Sequence, residues 1–371
     1  MADYFIGLMS GTSMDALDAV LVDFSATPPH LIATHSHALD KAIRHEILAL
    51  AQPGDNELDR LAQLDVRLGT LSAQLSLQLL EQAQIDSSEV RAIGSHGQTV
   101  RHAPDAPTPY TVQIGDPNTI AQLSGITTVA DFRRRDMVAG GQGAPLVPAF
   151  HKALFHSSET NRVVLNIGGI ANISILPADN SQAVNGFDTG PGNMLMDAWI
   201  QLKQHQPYDE NGGWARSGSV NVELLNKLLS DPYFSRTPPK STGREQYNLH
   251  WLEQQLHEAH QAQDIQATLC ELSATTIANA VLQFAPNTDE LYVCGGGARN
   301  SYLMERISDY LKGCHISTTA ELGVEPQWVE AMAFAWLARQ TLLGLPGNLP
   351  AVTGARKAVI LGGIYPAPPQ A

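Results

Sequence analysis

Short apolar runs rich in β-branched residues recur along this chain, and several of them close in a glycine turn. Tyr4 to Met9 runs into Gly7-Leu8-Met9-Ser10-Gly11-Thr12-Ser13-Met14-Asp15, and Ala16 to Phe24 follows, bounded by Thr27-Pro28-Pro29. That pattern predicts strand, turn, strand. The second half repeats it, with Arg162 to Ile167, the turn Gly168-Gly169, and the return Ala171 to Leu176. A third apolar run ends at Val293-Cys294 and closes in Gly295-Gly296-Gly297; Asn300 then reads as the N-cap of a helix carrying Leu303, Ile307, Tyr310 and Leu311. Three- and four-residue steps through Leu58, Leu61, Asp65, Leu68, Leu71, Leu75 and Leu79 predict a long helix. A last helix is predicted from about Pro326 to Leu343, with Val329, Met332, Ala333, Trp336 and Leu337 on one stripe and Pro326 in the first turn. Polar, Pro- and Gly-rich stretches at 104–117, 207–218 and 237–247 read as loops.

Two halves that each open on a glycine-tipped hairpin imply an ancient duplication, with a ligand expected between the halves. Two ordinary hairpins in one sheet would give the same pattern. The length, 371 residues, fits about two domains at roughly 100–200 residues each. Charge narrows the partners: 23 basic against 37 acidic residues give a net charge of −14, which repels a nucleic-acid backbone. Cys270, Cys294 and Cys314 are odd in number and lack C-x-x-C spacing, against a disulfide framework or a structural zinc site. The N-terminus lacks a basic, apolar leader, and the run Ala331 to Ala338 is too short to span a bilayer. A soluble, cytoplasmic protein is the expectation, with no membrane and no nucleic-acid partner.

Chemistry-bearing residues cluster at the turns. Ser10, Gly11, Thr12 and Ser13 offer hydroxyls and backbone N–H groups suited to phosphate oxygens, although no lysine precedes Lys41, so the segment is not a P-loop. A capped structural turn would use the same residues. Asp15 and Asp18 could hold a hydrated Mg²⁺ beside such a turn or be solvated turn acids. Asp188, in Phe187-Asp188-Thr189-Gly190-Pro191-Gly192-Asn193, is expected at or just before a helix N-terminus, either as a proton acceptor or as a cap. His96 and Gln98, after the predicted strand Val90 to Gly94, could line a substrate cleft, or His96 could be a core histidine. Arg133-Arg134-Arg135 precedes Gly140-Gly141-Gln142-Gly143, and guanidinium groups bind carboxylates and phosphates bidentately; solvated charge is the alternative. Gly295-Gly296-Gly297 fits a dinucleotide fingerprint only in part and reads as packing against a nucleoside or as a plain strand-to-helix turn. The loop Lys240 to Arg244 could close over a ligand or be merely polar.

Taken together, the segments 7–18, 131–145, 166–172, 187–193, 295–300 and Glu330 to Ala335 resemble the anhydro-N-acetylmuramic acid kinases over nearly the whole chain, with Ala16 standing where a glycine is expected. The resemblance implies an α/β fold of two duplicated ribonuclease-H-like lobes with mixed sheets and a nucleotide cleft between them, as in actin-like ATPases. It also implies lobes at 1–140 and 141–371, with the last residues returning to the first lobe, and a homodimer. The implied activity is ATP- and Mg²⁺-dependent conversion of 1,6-anhydro-N-acetylmuramic acid, an amino sugar, to N-acetylmuramic acid 6-phosphate during cell-wall recycling. Carried onto this chain, the resemblance makes Asp188 the catalytic base, and puts Ser10 through Asp18, including Met14, Ala16 and Leu17, at the ATP phosphates with Gly168, Gly169 and Gly295 to Gly297. It leaves His96, Gln98, Arg134, Gln142 and Glu330 for the sugar, with Arg134 on its lactyl carboxylate. A simple hexose or amino-sugar kinase and an actin- or Hsp70-like nucleotide switch are the competing readings.

Overall fold

The computed structural model describes residues 2–11, 14–244, 246–256 and 260–369. The chain forms two compact units, residues 1–150 with 328–371, and residues 151–327. The division therefore falls after Phe150 rather than at 140, and everything from Trp328 onward, the last helix included, packs with the first unit.

In the first unit, β1 (Tyr4–Met9), β2 (Ala16–Asp23) and β3 (His30–Ala38) form an antiparallel meander. β4 (Val90–Ser95) runs parallel to β1 on its other side, and β7 (Thr128–Ala130) runs parallel to β4. The order across the sheet is the short strand Gly363–Tyr365, then β7, β4, β1, β2 and β3. A separate hairpin pairs β5 (Gln98–Ala103) with β6 (Tyr110–Ile114). β6 lies inside the stretch expected to be loop. Its Thr111 and Ile114 are buried despite the flanking prolines, so cross-strand burial overrides the loop-like composition.

The second unit repeats the plan. β8 (Arg162–Ile167), β9 (Ile170–Leu176) and β10 (Asn185–Pro191) form the meander, and β11 (Glu290–Cys294) and β12 (His315–Thr318) lie parallel on the far side of β8. Its order is β10-β9-β8-β11-β12, the counterpart of β3-β2-β1-β4-β7. Both units thus have the ribonuclease-H-like arrangement of a central first strand, an antiparallel meander on one side and parallel strands on the other. The duplication read from the two glycine hairpins appears as one topology used twice.

Helix packing explains glycines that the turns do not. The helix Val329–Leu342 crosses β1 and β4 so closely that a Cβ on Gly7 would overlap the Ala331 carbonyl, and one on Gly94 the Phe334 carbonyl. Ala331, Phe334 and Ala335 are buried as well as the predicted Val329, Met332, Ala333 and Leu337, so the apolar surface is wider than the predicted stripe. A single 3₁₀ turn, Pro326–Trp328, stands where the sequence puts the first helical turn. The helix Ala262–Phe284 forms the core of the second unit and is buried on nearly all sides along its middle. Among the described residues no helix is long and apolar enough to cross a membrane.

Candidate active site

In the second unit, Asp188 stands mid-strand in β10, paired with Asn172 of β9. This corrects the expectation of a helix N-terminus: the chain stays extended through Pro191, and the next helix, Met194–Gln204, begins only after Asn193. Ladder pairing takes precedence over the helix signal carried by Pro191. The residue is 7% exposed and is braced from outside the sheet. Its N–H donates to the Lys240 carbonyl at 3.3 Å, its carbonyl accepts the Tyr233 hydroxyl at 2.7 Å, and its Oδ2 accepts the Thr242 N–H at 3.0 Å. The Asp188 backbone is held at both its N–H and its carbonyl and the carboxylate at Oδ2, so the residue is positioned before any ligand arrives, the preorganisation that proton transfer rewards.

The Gly168-Gly169 turn joins β8 to β9, and its carbonyls are tied to the chain beyond Asp188. Gly168 O accepts from Asn193 N–H at 2.8 Å, and Gly169 O from Gly192 N–H at 2.9 Å and Met194 N–H at 3.2 Å. Only glycine fits at 192, since a Cβ there would come 2.5 Å from Gly168 O. Asp188 is thereby locked to the hairpin tip. Across the ladder, Asn172 Oδ1 is buried and has no hydrogen-bond partner among the described residues. A buried acceptor of that kind calls for a donor from a ligand or water.

The third turn divides its glycines between two tasks. Cβ atoms on Gly295 or Gly297 would overlap Asn166 and Ile167, so these two pack inside the unit, with Gly295 at φ +80°. Gly296 is exposed and has open space around it. It is therefore the glycine of the three that can meet a ligand. Asn300 caps the following helix, accepting the Leu303 N–H at 3.0 Å, as its position predicts.

In the first unit, Ser10 is buried and its hydroxyl donates to Gln98 Oε1 at 2.7 Å, which brings two of the expected residues together. A Cβ on Gly11 would meet nothing within 4 Å, and Met14 turns the chain with φ +57°. Thr12 and Ser13 lie outside the described residues. Asp15 is exposed and ion-paired to Arg44 at 3.0 Å; Ala16 and Leu17 enter β2, Leu17 as a core residue. Asp18 accepts the Ser36 hydroxyl at 2.6 Å, and burial raises its pKa above the ordinary carboxylate value.

Next to this turn, His96 is 6% exposed and accepts Arg133 Nη2–H at 2.9 Å through Nε2, which puts the ring proton on Nδ1. Burial, and then the Arg133 charge, push its pKa down to about 3, so the ring is neutral at working pH. Arg133 also donates to the Gly143 carbonyl at 2.8 Å. Arg134 points outward, 60% exposed, 3.5 Å from Asp131. The glycine loop 140–143 rests on buried Asp136, which accepts Gly143 N–H, Asn348 Nδ2–H and the Thr353 hydroxyl at 2.6–2.8 Å. Gln142 is anchored by its N–H to Thr353 O at 2.8 Å. Glu330 is half-buried in the first turn of the helix Val329–Leu342.

The loop Lys240 to Arg244, which the sequence leaves open as a ligand-covering or merely polar segment, supplies Lys240 and Thr242 to Asp188, whereas Tyr233 carried no signal; the contacts span about 45 to 54 positions and follow no periodicity. Asn172 carried a weak signal as a polar residue near the start of the return strand Ile170–Leu176.

The family model for anhydro-N-acetylmuramic acid kinase matches residues 3–367. A protein of Shewanella pealeana named anhydro-N-acetylmuramic acid kinase is 56% identical, over 98% of this chain and 99% of its own length. One of the same name from Coxiella burnetii is 52% identical, over 97% of each chain. A third, from Shewanella halifaxensis, is 55% identical over 98% of this chain and 99% of its own. With matches of this identity running nearly end to end, the chain belongs to the anhydro-N-acetylmuramic acid kinase family.

Proposed function

We propose that this enzyme uses ATP and water to convert 1,6-anhydro-N-acetylmuramic acid to N-acetylmuramic acid 6-phosphate and ADP, in the recycling of bacterial cell-wall sugars. The observation that carries the reading is the braced Asp188, a buried acid whose carboxylate accepts the Thr242 N–H and whose backbone is held by Lys240 and Tyr233. Asp188 accepts a proton from a water that attacks C1. The C1–O6 bond breaks with its electron pair on O6, and O6 takes the γ-phosphoryl group as ADP departs. Glycosidases need a second carboxyl to protonate the leaving oxygen; here the phosphoryl group takes that place, so a single base suffices.

The ATP phosphates lie against the turn from Ser10 to Asp18 and against Gly168-Gly169, with exposed Gly296 at the nucleoside. Arg134, exposed and loosely paired, is the arm that reaches the lactyl carboxylate, while Arg133 stays anchored on His96. Gln98, Gln142 and Glu330 complete the sugar's polar contacts. Mg²⁺ fits Asp18 better than Asp15, since Asp18 is half-buried with a raised pKa that a cation would offset, whereas Asp15 is engaged by Arg44. When bound, the ion neutralises charge on the phosphates.

Labelled water tests the reaction. With ATP, Mg²⁺ and the anhydro sugar in H₂¹⁸O, the sugar phosphate gains one heavy oxygen at C1 in every turnover and none in the phosphate. A product phosphorylated with its anhydro bridge intact, or no phosphorylated product, contradicts the proposal.

A further inference from the structure

Beside β10, the second unit holds a cavity of about 460 Å³. The ladder shifts register between Asp188 and Gly190, and Thr189, at that shift, lines the cavity together with Phe284, whose ring meets Phe187 with centroids 5.0 Å apart. The wall also contains Lys240, Phe234, Asn279 and Gln283. Lys240 is its charged residue, and no carboxylate lines it among the described residues. In a protein of net charge −14, a concavity with a cation and no acid favours an anion.

The rest of the wall narrows the class. Asn279 and Gln283 lie four residues apart on the helix Ala262–Phe284, so their amides share one face and supply both donors and acceptors. Phe234 and Phe284 supply apolar surface for the face of a ring. The volume suits a monosaccharide, within the range of roughly 300–1,000 Å³ typical of small-molecule sites.

The cavity is also wired to the base. Lys240 gives its carbonyl to the Asp188 N–H, and its Nζ donates to the Tyr233 carbonyl at 3.3 Å, while the Tyr233 hydroxyl holds the Asp188 carbonyl. A ligand that draws on Lys240 therefore shifts both braces of Asp188 together. We propose that this cavity is a second ligand site, for a sugar phosphate, and that its occupant lowers turnover by moving Asp188 through Lys240. Resting on the reaction proposed above, the nearest molecule of that chemistry is the product, N-acetylmuramic acid 6-phosphate, and the site is one of feedback.

Gln283→Trp, at an exposed helix position outside the catalytic machinery, fills the cavity mouth. Added product should lower kcat in the wild type at saturating anhydro sugar; in Gln283→Trp, kcat without product is unchanged and the noncompetitive inhibition is at least tenfold weaker. Asn279→Trp should behave alike. Inhibition that is purely competitive with the anhydro sugar in the wild type, or equal noncompetitive inhibition in all three proteins, overturns the inference and leaves the proposed reaction standing. Without any turnover of the anhydro sugar the reaction falls instead, and calorimetric titration of the same sugar phosphate still reads the cavity. Binding to the wild type that Gln283→Trp removes supports the site, and equal heats in the two proteins overturn it.

Discussion

Asp188 shows how much of a catalytic residue's behaviour is set by groups far away in sequence. Two of its braces, Lys240 and Thr242, come from the stretch 237–247 that composition marks as loop, and the third, Tyr233, lies before it; the contacts hold the backbone at two points and the carboxylate at one. Tyr233 is fully buried, so Tyr233→Phe removes the hydroxyl that the Asp188 carbonyl accepts in a dry setting. Losing a buried partner of this kind costs about 1–3 kcal/mol. Urea unfolding should show a loss of that size, and kcat should fall while the KM for ATP holds. Unchanged stability and kcat would remove Tyr233 from the assembly that positions the base.

Among the elements, the two hairpins and the closing helix were legible because their signals are local: β-branched runs, glycine turns and apolar spacing. Asp188's place was not, since Gly190-Pro191-Gly192 reads as a helix start, and only pairing with β9 shows the strand continuing. The glycines of β1 and β4 were also ambiguous. Gly7 reads as part of a phosphate turn, yet its lack of a side chain serves the approach of the helix Val329–Leu342. Gly7→Ala should therefore destabilise the protein by about 1–3 kcal/mol or more through overpacking. Gly11→Ala, with open space around the new methyl, should unfold normally but weaken ATP binding. Thermal melts and nucleotide titrations of the two variants check this contrast, and equal destabilisation by both would refute it.

The whole molecule carries an acid sensitivity built from buried imidazoles. Burial holds His96 and His151 down to about pKa 3, and His102 down to about 4, with the Arg133 charge adding to the shift at His96 and His102. The unfolded chain protonates these rings near pH 6.5, whereas the folded protein does not, so their stabilising effect is complete above about pH 6.5 and is lost as pH falls toward 3–4. Near pH 5 unfolding should take up roughly three protons from this source, a slope of about 4 kcal/mol per pH unit. Asp18, Asp65 and Asp131, raised by burial, offset part of it. Urea midpoints should fall steadily from pH 7 to pH 5, and His151→Gln should flatten that fall by about a third; a flat profile would contradict the neutral imidazoles.

The repeated topology supplies the frame, and one carboxylate is asked to do the proton chemistry within it. The most direct measurement is turnover of Asp188→Asn with ATP and the anhydro sugar, alongside ATP binding to the same variant. The account predicts a fall in kcat of about 10²–10⁴ or more with ATP affinity retained. Turnover within a few-fold of the wild type would contradict it.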